Sequence, residues 1–423
     1  MTAQGDFPWL RLDPETRTAS IDSSHPGFYG DPYATYERIR SSTPVFYWRE
    51  QKRWCFLNAG DIGTILRDRR FGRELLPVAG DPVPQTSAAA PDMTPTFHEV
   101  NRSSMLEREP PVHTRLRTLV NRAFVSRNIE RLRPRISAMA HELIDKMEPA
   151  KRTDLMVSYA TPIPVVVIAE LLGVPTGMCP QLLDWSHRMV AMYQFDKTGE
   201  TETSAEAATV EFSDFLRSYV ADRRRRPADD LISHLLAIEA TGDRLTEDEL
   251  IGTCILLLNA GHEATVSAIG NSVKTLLEQK ADLGAAFASE AATEATVEEC
   301  LRFDPPLHLF DRYVQEDVEV AGVALRRGDA VALLYGAANR DPARFSSAHI
   351  FDPQRPVAGA ASGHLSFGGG IHFCLGAPLA RLELQIALPI LFERLPRIFL
   401  CGAPVYRDNY HFHGLRALDV GWP

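Results

Sequence analysis

Ten residues, Phe367-Gly-Gly-Gly-Ile-His-Phe-Cys374-Leu-Gly376, constrain this chain more than any other segment, because they set one cysteine on a glycine-rich loop just as a helix begins. The helical pattern opens at Ala377 and Pro378, where proline's missing N–H costs nothing, and continues through Leu379, Leu382, Leu384, Ile386 and Leu388. Cys374 therefore stands at the positive end of a helix. The amides of Leu375 and Gly376 favour a thiolate there, a sulfur suited to bind metal or attack an electrophile. Glycines at 368, 369 and 370 let the backbone pass close beneath something flat and bulky. A lone cysteine beside a glycine turn is more often inert core, so the rest of the chain must decide.

Three other segments carry chemistry. Glu299 and Arg302 lie one helical turn apart ahead of Phe303-Asp-Pro-Pro306, which stops the helix, so carboxylate and guanidinium share a face. His113 and Arg117 stand at i and i+4 on a helix that starts after Pro110-Pro111, and project to one side. Such pairs are usually solvated surface. Thr246-Glu-Asp-Glu249 forms a capping box ahead of a long apolar run. On that run Ala260, Gly261, Ala264 and Ala268 make a stripe of small side chains that suits either a flat ring or tight helix packing. Asn259, His262 and Glu263 interrupt the apolar pattern, and a carboxylate there costs free energy unless solvated, paired or protonated.

The run from Phe367 to Gly376 resembles the haem-ligand loop of the cytochrome P-450 monooxygenases, with Phe367, Gly368, Gly370, His372, Cys374 and Gly376 at its defined positions. The other segments follow in that family's order, so the resemblance covers the chain from about residue 40 onward. It implies a mainly α fold with small β-sheets, a single domain over 1–423 with haem between the long distal helix and the cysteine-ligand loop. Residues 1–20 are expected to be a loosely ordered N-terminal segment. Cys374 would be the metal ligand, its thiolate pushing electron density onto haem iron so that the O–O bond is cleaved. His113, Arg117, Arg312 and His372 would hold the two propionates of haem b, and Glu299 with Arg302 would brace the core beneath.

Ala260-Gly-His-Glu-Ala-Thr265 resembles the family's oxygen-activation motif, an acid followed by an alcohol. Here Ala264 fills the alcohol position, and Thr265 is turned by about 100° around the helix. Proton delivery is then expected to use Glu263 with water and either a substrate hydroxyl or Thr265 after a local helix adjustment. A second departure is Ile350, where the family often places the arginine that completes the bracing pair. Arg344, His349 and Arg355 are the candidate substitutes. Substrate contacts are expected from Leu257, Ala260, His308, Leu309 and Phe412.

Local patterning predicts a hairpin from Val45–Trp48 and Trp54–Asn58, and short strands over Val318–Leu334 broken at Gly322 and Gly328. Leu76–Phe97 reads as a long access loop, Trp185 to about Ser204 as a lid, and Arg223–Arg226 as a solvated helix end. Cysteines at 55, 179, 254, 300, 374 and 401 show neither metal-finger nor covalent-haem spacing, and disulfides are not expected. A net charge of −10 argues against nucleic acid as a partner. The N-terminus has no basic-then-apolar signal, so no membrane attachment and a cytoplasmic location are expected. No nucleotide fingerprint is visible, so a separate ferredoxin or flavodoxin with its reductase is expected to bring electrons to a basic surface including Arg115, Arg122 and Arg131. Peroxide-driven or non-oxygenating chemistry on the same scaffold, a haem sensor and a thiol hydrolase are the alternatives.

Overall fold

Thr246 and Glu249 cap the longest helix reciprocally: the Glu249 amide donates to the Thr246 hydroxyl at 3.1 Å, and the Thr246 amide to the Glu249 carboxylate at 2.9 Å. The computed structural model, which describes residues 7–77, 92–123, 129–239, 245–355 and 363–423, shows this helix running unbroken over Glu247–Glu278. It is buried along most of its length. A Cβ on Gly252 would meet the Val100 carbonyl at 2.8 Å, and one on Gly261 would press on Ile168 at 3.1 Å. Part of the small-residue stripe therefore serves helix packing.

Around this axis pack the helices Pro95–Arg102, Pro162–Leu172, Gly199–Arg225, Glu290–Phe303 and Ala377–Arg394. Two apolar cores divide its length, one on the C-terminal half and one on the N-terminal half. One joins it to the final helix through residues such as Ile269, Val273, Leu384 and Leu388, the other to Gly199–Arg225 through Leu250, Ile251, Phe212 and Leu216. No described helix is long and apolar enough to cross a membrane.

A seven-stranded sheet closes one side, in the order Leu10–Asp13, Thr18–Ile21, Val45–Trp48, Arg53–Phe56, Ala330–Leu334, Leu309–Val314, Phe71–Gly72. The expected hairpin is there, pairing Val45 with Phe56 and Trp48 with Arg53. So are the strands after residue 317, which turn at Gly322 and Gly328 with φ of +71° and +93°. The expectation of a loose N-terminus is corrected over Leu10–Ile21, whose antiparallel strands join the sheet beside Val45–Trp48.

The lid segment is more helical than its composition suggests, and the access loop can be followed only at its ends. Of Leu76–Phe97, residues 78–91 lie outside the described part, and Pro95 already begins a helix. Trp185 belongs to the helix Cys179–Val190, and Gly199 opens the next one behind a Thr198 cap, leaving Gln194–Lys197 as the connector. The helix end at Arg223 is more than solvated: its guanidinium lies 2.9 Å from buried Asp230.

Candidate active site

The cysteine loop is shaped by its own backbone. The Cys374 amide donates to the Phe367 carbonyl at 2.9 Å and the Phe373 amide to the Gly370 carbonyl at 3.2 Å, folding the ten residues into a closed turn. Gly368 and Gly370 both sit at φ +67°, and a side chain on Gly370 would collide with the Leu66 carbonyl. Pro378 stands in the first turn of the helix Ala377–Arg394, as its pattern predicts. Surrounded by protein, Cys374 turns its accessible surface into a cavity of about 540 Å³. Burial pushes its thiol up, against the opposing pull of the Gly376 and Ala377 amides and Arg117. The amides at work are thus one residue further along than expected, and a bound metal would have to replace the thiol proton.

The same cavity is lined by the long helix through Leu257, Ala260, Gly261, Ala264, Thr265 and Ala268. His113, Arg117, Arg312 and His372 all reach the same cavity. The His113 and His372 rings lie 4.4 Å apart, and His113 Nε2 is buried without a hydrogen-bond partner. Burial, with His372 and Arg117 nearby, holds His113 down to about 4, so it is neutral near pH 7. Four donors lining a mostly apolar cavity that also presents a thiol fit a dianionic macrocycle with a central metal. Glu109 was not anticipated: its carboxylate lies 3.0 Å from His372 Nε2 and accepts the Arg73 amide at 2.7 Å, fixing the ring. Its one sequence signal is its place directly before Pro110-Pro111.

Glu263 lies behind the lining rather than in it. Its carboxylate is 3.1 Å from His187 Nε2 and 3.5 Å from His262 Nε2 through one oxygen, and 3.2 Å from Arg407 Nη1 through the other. Burial would raise its pKa, but the two imidazoles outweigh burial and hold the carboxyl well below the usual range. Thr265 donates its hydroxyl to the Gly261 carbonyl at 3.1 Å, the back-bond that a helical threonine makes when nothing else claims it.

The bracing pair forms as expected, Arg302 meeting Glu299 at 2.7 Å, both buried. Arg302 also donates to the carbonyls of Asn339, Ala348 and Ile350. Of the three candidate substitutes it is Arg355 that joins, 3.5 Å from Glu299 and bonded to the Ile350 carbonyl at 2.8 Å. His349 is exposed, and Arg344 turns to the Gly363 carbonyl. Neighbouring Glu298 ties the same helix to the cysteine-loop helix through Arg381 at 2.6 Å.

Leu257, Ala260, Leu309 and Phe412 line the cavity as nominated, but His308 does not. Leu307 and Leu309 face the cavity, and the alternation of extended backbone sends His308 the other way. There it is fully buried, 2.8 Å from the Tyr36 hydroxyl and with its ring 4.3 Å from that of His413.

Comparison with known proteins agrees with this geometry. The family model described as Cytochrome P450 matches residues 85–281 and 291–396. The chain is 34% identical over 406 residues to the biotin biosynthesis cytochrome P450 of Bacillus subtilis, covering 95% of this chain and 99% of that one. To the cytochrome P450 monooxygenase PikC of Streptomyces venezuelae it is 37% identical, covering 93% and 92%. Its fold superposes on P450BioI, solved in complex with an acyl carrier protein ligated to hexadec-9Z-enoic acid, with a TM-score of 0.85 at 34% identity, over 94% of this chain and 100% of that one. A thiol sharing a cavity with histidines and arginines, a long helix lining it, and relatives matched over nearly their whole length lead to one conclusion: this chain is a bacterial-type oxidoreductase of the cytochrome P450 family.

Proposed function

We propose that the chain is a haem-thiolate monooxygenase inserting one atom of O₂ into a small, largely apolar organic substrate, with electrons from a separate ferredoxin or flavodoxin and its reductase. The observation that carries this reading is the convergence of Cys374, four propionate-type donors and the small-residue face of the long helix on one cavity. Haem b bound there supplies the reductive cleavage of O₂, one atom passing to substrate and the other to water. The chain's own residues do the rest. Cys374 contributes the ligand sulfur, and His113, Arg117, Arg312 and His372 fix the propionates by charge-assisted hydrogen bonds. Leu257, Ala260, Leu309 and Phe412 exclude water and hold apolar substrate surface.

Glu263 is the proton relay on the solvent side of the cavity, exchanging protons with His187, which is half exposed. Ala264 leaves room beside it, so water or a substrate hydroxyl completes the path. The same alanine favours a second reading, peroxide-driven or non-oxygenating turnover, because that chemistry needs no ordered delivery of protons. Product formation that requires both NAD(P)H with a redox partner and O₂ selects the first reading; formation from peroxide alone selects the second.

The founding test is spectral. Reduced protein under carbon monoxide should give the band of a thiolate-ligated haem, and Cys374→Ser should abolish it. A band that survives the serine variant would sink the proposal.

A further inference from the structure

We infer that His187, His262 and Glu263 form a second metal site, for a borderline divalent cation of the zinc class, at the outer end of the long helix's polar step. One imidazole nitrogen from each histidine and one carboxylate oxygen lie within 4.8 Å of one another. Zinc held at about 2.0–2.2 Å by N and O ligands in tetrahedral geometry places those ligands about 3.3 Å apart. The separations from Glu263 Oε1 are 3.1 Å to His187 Nε2 and 3.5 Å to His262 Nε2. These two separations already match, and the two imidazole nitrogens lie within the same 4.8 Å cluster.

The orientation of His262 points the same way independently. Its side chain is 1% exposed, and its Nδ1 lies 2.8 Å from the Leu258 carbonyl, so Nδ1 carries the proton and donates it to that oxygen. In the neutral ring the Nε2 lone pair is thereby aimed at a carboxylate oxygen. A lone pair against a carboxylate is repulsive, so a positive species must lie between Nε2 and Oε1: a second ring proton, which against burial is what lowers the Glu263 carboxyl in the metal-free protein, or a cation that replaces it. Neither His262 Nε2 nor Glu263 Oε1 has a hydrogen-bond partner, although both are buried. A backbone carbonyl that fixes the tautomer while leaving the other nitrogen bare is the support that metal-binding histidines usually have. Arg407 occupies the second Glu263 oxygen at 3.2 Å. It opposes the cation electrostatically, but it also orients the carboxylate so that Oε1 faces the two rings. His187, with 49% of its side chain exposed, supplies the entry path and a ligand free to turn.

Occupancy would take Glu263 out of proton exchange, making zinc a brake on productive turnover; this consequence rests on the relay reading of Glu263, whereas the site itself does not. The test uses tag-free holoenzyme cleared of metals with a chelator and titrated calorimetrically with zinc sulfate. One saturable site per chain is expected, with the carbon monoxide spectrum unchanged by zinc. Losing a partner outside the coordination sphere costs about 10–100-fold in affinity, so His187→Ala and His187→Gln, which remove a direct ligand, should each weaken binding by about 100-fold or more. No saturable uptake, or uptake unaltered by both variants, overturns the site. If zinc binds through His187 yet product per reductant is unchanged, the site stands and the relay role of Glu263 falls.

Discussion

At the scale of single residues, the proposed proton path turns on Ala264 and Glu263. Ala264→Thr should change the ratio of product to reductant consumed across several substrates, because it adds a hydroxyl where water or substrate otherwise serves. An unchanged ratio would count against substrate or water in that role. That Cys374, His113, Arg117, Arg312 and His372 would meet at one cavity was legible chiefly through the resemblance; of these, only His113 and Arg117, at i and i+4, had a spacing that set their direction. Glu109 was not legible, because its partner His372 is 263 residues away and only the fold joins them. His308 was misread for a related reason: neighbours in an extended stretch face opposite sides, and only the fold shows which side is the cavity.

At the scale of elements, the helix Glu290–Phe303 is the fastening between the cysteine loop and the sheet side. Arg302→Ala leaves Glu299 buried with far less compensation and removes three bonds to backbone carbonyls, so it should destabilise the fold by about 3–5 kcal/mol in denaturant unfolding. Burial would raise the Glu298 carboxyl, yet Arg381 and His364 hold it down to about 2. A depressed carboxylate stabilises the fold fully above its unfolded value of about 4.5, and this contribution is lost as pH falls towards about 2. Wild type should therefore outlast Glu298→Gln in thermal melts at pH 6, with the gap narrowing steadily between pH 4.5 and 2.5. Helix starts and hairpin turns were readable locally from Thr246, Glu249, Pro378, Gly322 and Gly328. The choice of Arg355 as the third bracing partner was not, because the carbonyls that aim it belong to a turn with no periodic pattern.

At the scale of the whole molecule, the proposed external electron carrier is expected to dock by charge on a basic surface. Arg115 is engaged with Glu249, whereas Arg122 and Arg131 are exposed, so the docking expectation narrows to the latter two. Reversing both to glutamate should slow first-electron transfer from an acidic carrier by about tenfold at low salt in stopped flow, with substrate affinity unchanged. The strands Leu10–Asp13 and Thr18–Ile21 have a different bearing on the assembled protein. They are the hem of a sheet whose inner members carry Leu309 and Arg312 to the cavity. A chain shortened to begin after Ile21 would leave Val45–Trp48 as a raw margin of unpaired amides and carbonyls, inviting another copy to stitch onto it.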